Sequence, residues 1–323
     1  MNTVGAFIRT HSNTIAAVSA LAAVASYLAT RTLTRTSRRV PLACLPESSA
    51  VKNFVQNSGE RIDQDAFGLE GHSRLLSPWA PSNHIMSEPV HPTLWLPTFV
   101  ALQIDVPLSV LHNYRLQHPH DSKQDDDTLH LAQKLLAAFL DARASDPEAF
   151  FLDKNVPPLQ FTPGHRLFGK DRARPAGAFL LNAWSSSGRK PVQPAANLPD
   201  SAPTPVSEFP SNQSALSAAE DAAGAVMYWT CAKSVTDPVD TAASYGLPWR
   251  IINGGFQEFI VERVSEDRVR LTYVTVEVSN LHPRGKAERD FKKLPWLLYE
   301  LHVLYAQWLL YNTVRRLASS SRR

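Results

Sequence analysis

Hydrophobic and polar positions alternate from Phe99 to Val106, with Val100, Leu102, Ile104 and Val106 on one side and Ala101, Gln103 and Asp105 on the other. A period of two predicts a half-buried strand, and Pro107 ends it. From Thr128 to Arg143 the period changes. Leu129, Leu131, Leu135, Leu136, Phe139 and Leu140 recur at helical spacing, behind an acidic run, Asp125-Asp126-Asp127, that supplies candidate caps. Phe161 to Phe168, Ala178 to Trp184 and Ala225 to Lys233 are shorter strand candidates. The clearest hairpin follows: Phe256 to Val264 and Arg268 to Ser279 are β-branched and aromatic, joined at Ser265-Glu266-Asp267. Gly254-Gly255, after Asn253, reads as a tight turn or bulge and not as a phosphate cradle.

The strongest periodic element is the last, Pro295 to Leu317. Proline suits a first helical turn, and Arg315 and Arg316 suit the negative end of the helix dipole. Lys293, Glu300 and Gln307 mark one narrow polar stripe, while Leu297, Leu301, Leu304 and Trp308 form an apolar one. Such a helix is expected to be buried over most of its circumference. Two stretches lack any period. Residues 41–94 read as an irregular linker, and residues 185–223, rich in Pro, Ala and Ser, as a disordered insertion that buries too little apolar surface to offset its ordering entropy.

Composition changes the picture mainly at the N-terminus. Residues 1–40 hold five arginines and no acid, and the first carboxylate is Glu47. Thr14 to Thr30 is one apolar run of 17 residues, with Arg9 before it and Arg31, Arg35, Arg38 and Arg39 after it. About 17 residues is the lower limit for a spanning helix. The heavier basic flank lies on the C-terminal side, which argues against a cleaved secretory signal, and the run has no basic face, which argues against a mitochondrial presequence. The expectation is an N-terminal signal anchor with the main domain on the cytosolic side, in the mitochondrial outer membrane or the endoplasmic reticulum.

The formal charge of +3 comes entirely from that leader, and no basic patch interleaved with aromatics points to nucleic acid. Cys44 and Cys231 make neither a disulfide framework nor a zinc site. His118, His120 and Asp121 precede the acidic run but read as a solvated loop, so neither metal nor cofactor is expected. No nucleophile elbow, phosphate loop, dinucleotide fingerprint or zinc-protease motif occurs.

The order of elements in residues 95–318 is strand, helix, a run of antiparallel strands and a long terminal helix. With the closing segment GGFQEFIVERVSEDRVRLTYVTVEVSN, this order resembles the START and Bet v 1-like, or helix-grip, superfamily. The resemblance implies an α+β fold in which a curved antiparallel sheet grips the C-terminal helix, here preceded by the membrane-anchor helix. It also implies a concave space between sheet and helix, a default ligand site. Trp229, Phe259, Tyr273, Trp296, Tyr305 and Trp308 would line that space around a hydrophobic small molecule or lipid, or would simply fill the core. A cyclase-type enzyme of the same fold would rely on His302, Tyr305, Glu258 and Arg263 for proton movement. A third expectation is a scaffold whose Pro-rich insertion recruits a partner.

Overall fold

The computed structural model describes residues 31–52, 95–114, 127–144, 166–168, 177–186, 221–230, 254–280 and 296–320, with a few isolated positions between 237 and 245. The apolar run Thr14 to Thr30 and most of the Pro-rich insertion lie outside the described residues. Among the described residues, no helix is long and apolar enough to cross a membrane.

The chain builds an α+β fold on one antiparallel sheet. Its strands are β1 (Arg38–Arg39), β2 (Trp95–Pro107), β3 (Arg166–Phe168), β4 (Gly177–Ser185), β5 (Ala222–Thr230), β6 (Gly254–Arg263) and β7 (Arg268–Asn280), and its helices α1 (Leu108–His112), α2 (Asp127–Arg143) and α3 (Trp296–Ser320). The order across the sheet is β1-β2-β7-β6-β5-β4-β3. The strand that opens the domain therefore pairs with the strand that closes it, and β3 to β7 form a meander.

Alternation along each strand sorts side chains onto two faces. Val100 and Leu102 on β2, Leu271 and Tyr273 on β7, Phe259 and Val261 on β6, and Ala225 and Met227 on β5 join α2 and α3 in one apolar core. Helix α2 is buried nearly all round, from Leu131 to Ala142, because it lies between the sheet and α3. Helix α3 is less enclosed than its composition predicts. Its buried stripe is Val303, Ala306, Gln307, Leu310, Thr313 and Leu317, whereas Leu301 is 52% exposed. Gln307, expected on the polar side, faces inward. The phase follows from packing on α2, the element α3 contacts most.

The opposite face of the sheet is not solvated. Ala101 and Gln103 are 0% and 2% exposed, so β2 is buried on both sides and not on one. The cover is residues 37–52, which fall in the expected basic flank and linker but are built into the domain. Val40, Leu42, Leu45, Ala50 and Val51 are all buried there. Arg38 and Arg39, expected as membrane-flanking charges, are held by the fold. Arg38 Nη2 donates to Gln103 Oε1 at 2.9 Å. Arg39 donates to the Tyr299 hydroxyl, lies 5.1 Å from that ring's centroid and faces Glu300 at 3.8 Å.

Gly254 and Gly255 form no turn. They begin β6, paired with Thr230 and Trp229. The insertion is an excursion from one hairpin, since Ser186 N donates to Ala222 O and Ala222 N to Ser186 Oγ where β4 and β5 meet its ends. Closure at that point insulates the sheet from loop length, each doubling of which costs only about 0.6 kcal/mol. Replacing residues 189–219 by a four-residue Gly/Asn turn should therefore leave the denaturant midpoint unchanged or slightly raised, as read by chemical unfolding.

Candidate functional site

Two groups of polar side chains sit inside this sandwich, one on each face of β6. On the face covered by residues 37–52 is Glu258, which is 0% exposed. Its Oε1 accepts from Ala50 N at 2.7 Å and from Trp184 Nε1 at 2.8 Å. Its Oε2 accepts from Ser49 Oγ at 2.7 Å and from Val51 N at 3.2 Å. The two backbone donors belong to the buried first turn of a helix that begins at residue 50, where N–H groups without an intrahelical partner need an acceptor. Ser49 Oγ also accepts from Lys52 N at 3.2 Å, the bond expected of an N-cap serine.

The strap is closed on itself as well. Lys52 Nζ donates to Leu45 O at 2.8 Å, Ala43 O at 3.2 Å and Glu47 Oε1 at 2.7 Å. Trp184 reaches Glu258 by lying across Gly224, where a Cβ would come within 2.6 Å of the indole. Burial is the dominant influence on the Glu258 carboxyl and holds it above its ordinary range, although Ser49, Ala50, Val51 and Trp184 all favour the ionised form.

On the helix-facing side the polar groups are differently satisfied. Gln257 is 3% exposed, and its Oε1 has no hydrogen-bond partner. Trp229, partly buried against the core, has a buried Nε1 that likewise has none. Gln257 pairs with Met227 and Trp229 with Gly255, so the two side chains are diagonal neighbours on one face of adjacent strands.

The residues singled out in the sequence fall into separate places. Phe259 and Tyr273 are directly opposite in register, 1% and 2% exposed, and close a three-ring cluster with Phe139, whose centroid is 4.6 Å from that of Phe259 and 5.1 Å from that of Tyr273. They fill core. Tyr305 and Trp308 are partly buried against the core, with ring centroids 5.8 Å apart. The Trp296 side chain, His118, His120 and Asp121 lie outside the described residues. Arg263 is engaged at the far end of β6, 2.9 Å from Asp221. Glu258 lies on the opposite face of the sheet from α3, which carries His302 and Tyr305. The four groups expected to move protons therefore do not converge. Among the described residues no cluster of His, Cys, Asp or Glu is arranged to hold a metal ion.

No family model matches this chain, and neither a curated protein nor a solved structure does.

Gln257 was not among the sequence candidates. Its one legible signal is a polar residue in phase with Phe259 and Val261 on a strand whose helix-facing side is otherwise apolar. The Glu258 site yields a prediction with a definite sign. A carboxyl whose folded pKa is raised binds its proton more tightly in the native state. Its stabilising contribution is present below the unfolded value of 4.5 and is lost as pH rises through the raised value. Glu258→Gln, neutral at all pH, should therefore lose less relative to wild type at pH 7 than at pH 4, measured by urea midpoints. Glu258→Leu, which leaves buried N–H donors unpaired, should cost at least about 3 kcal/mol.

Proposed function

We propose that this chain is a membrane-anchored binding domain for a hydrophobic small molecule or lipid, held on the helix-facing side of the sheet, beneath the layer of α2 and α3. The observation that carries the reading is the buried, unpartnered carbonyl of Gln257 beside the unpartnered indole N–H of Trp229. Unsatisfied buried polar groups are rare in folded proteins, and each costs about 1–3 kcal/mol. A ligand that completes both would explain the pair. The pairing of β2 with β7 in one antiparallel sheet supports the helix-grip resemblance, although it is α2, and not the terminal helix, that packs on β4 to β6. A cyclase-type enzyme lacks comparable support, because its proposed acid–base groups are divided between the two sides of the sheet.

The anchor belongs to this proposal through the sequence of residues 14–30. Residues 31–36 are helical and lead directly into β1. Six helical residues rise about 9 Å, so an embedded run would hold the domain close against the cytosolic face of the bilayer. Arg31 and Arg35 are exposed on that helix. Which membrane receives the run, mitochondrial outer or endoplasmic reticulum, is open to direct localisation.

Organic extraction and native mass spectrometry of the purified full-length chain test the binding reading. Up to one apolar molecule per chain, or uptake of one from mixed phospholipid–sterol vesicles, is the expected result. Protein that stays empty against every lipid class offered contradicts it. Removing residues 189–219 should leave that uptake intact, whereas a scaffold acting through the insertion would lose its function.

A further inference from the structure

We infer that the molecule bound on the helix-facing side carries a neutral hydroxyl group, which donates to Gln257 Oε1 and accepts from Trp229 Nε1. This inference rests on the binding reading above and adds the ligand's chemistry to it.

The argument starts from what the two side chains lack. Gln257 Oε1 is an acceptor without a donor, and Trp229 Nε1 is a donor without an acceptor. The pairing of Trp229 with Gly255 and of Met227 with Gln257 sets them diagonally on neighbouring strands, a separation of about 7–8 Å between backbone positions that long side chains bridge. Gly255, directly opposite Trp229, contributes no side chain to that patch. Met227 and Phe259 are buried on the same face, Phe139 packs on Phe259 from α2, and the buried Thr275 stands directly opposite Gln257 on β7. The Arg143 guanidinium lies 5.8 Å from the Phe139 ring centroid.

A hydroxyl is the smallest group that completes both partners, because one oxygen donates and accepts at once. A carboxylate has only lone pairs to offer, so it repels Gln257 Oε1 while satisfying Trp229. An alkane satisfies neither. The expected preference is therefore alcohol over carboxylate and over alkane, for chains of equal length. Partial exposure of Trp229 places the pair toward an edge of the core, with the hydroxyl end of the ligand beside the sheet.

A structural role makes the opposite forecast. Were the pair completed by a resident buried water, Gln257→Leu would strand that water and lower stability. Were it an unfilled site awaiting a ligand, the same change would remove an unsatisfied acceptor from the empty protein and raise its stability.

The experiment uses the full-length protein in mild detergent, with dodecan-1-ol, dodecanoate and dodecane offered from cyclodextrin. Occupancy is read by native mass spectrometry and thermal stability by the unfolding midpoint. The expected results are binding of dodecan-1-ol at least about tenfold tighter than dodecane, and loss of that margin in Gln257→Leu and in Trp229→Phe. Gln257→Leu without ligand should melt about 2–4 °C higher than wild type. Thr272→Val removes another unpartnered buried hydroxyl, on the strap-facing side of the sheet, and should leave the preference unchanged. Equal binding of alcohol and alkane, tighter binding of dodecanoate, or a Gln257→Leu protein that is destabilised or fails to fold would each overturn the hydroxyl inference while leaving apolar binding in place. If none of the three probes binds, the binding reading itself fails, and this inference with it.

Discussion

A carboxyl group in the middle of a sheet must be supplied with donors or it destabilises the fold that buries it. Glu258 stands at that position, on the central strand β6, and its donors come from two directions. Trp184 reaches it from β4 at 2.8 Å, across the space that Gly224 leaves open. Ser49, Ala50 and Val51 reach it from the strap. Without the strap the carboxyl and the apolar residues around it, among them Phe256, Ile260 and Val274, would face water or one another unpaired. The burial of the outer face therefore rests on this acceptor together with the strap's bonds to β2, Val40 N to Ala101 O and Arg38 to Gln103. The same contact fixes the strap, and the strap positions Arg38 on Gln103 and Arg39 on the first turns of α3.

The two faces of β6 thus do different work with adjacent residues. Glu258 points to the side covered by the strap, where its own carboxyl is met by four hydrogen bonds while Thr272 Oγ1 has none. Gln257 points to a side where an acceptor and a donor are left unmet. Removing unmet groups typically gains stability at the expense of function.

The parts legible in the sequence are those set by neighbours within a few residues. The alternation of β2, the hairpin of β6 and β7 with its turn at Ser265-Glu266-Asp267, and the long helices follow from local period and turn chemistry. The strap was not legible. Its residues 41–52 carry no period because their burial is dictated by Glu258, 208 positions away from Ala50. For the same reason Arg38 and Arg39 read as membrane-flanking charges, and Glu258 as a proton-transfer group. The phase of α3 was also out of reach, since α2 selects which stripe is buried and turns Gln307 inward and Leu301 outward. Of the candidate site, the aromatics were visible as a set, but their division into core rings (Phe259 and Tyr273) and a half-open position (Trp229) depends on strand register. Gln257 became conspicuous only once its neighbours were known to be apolar.

On the proposed reading, foreign apolar matter enters on the Gln257 side of β6 and is excluded from the Glu258 side. A diazirine-bearing long-chain alcohol, photolysed on the full-length protein and mapped by peptide mass spectrometry, tests this most directly. The predicted result is labelling confined to the helix-facing residues of β5 and β6 and to the inward side of α2 and α3, with none on residues 37–52. Labelling of the strap, or labelling spread over the exposed surface with no preference between the faces, would contradict it.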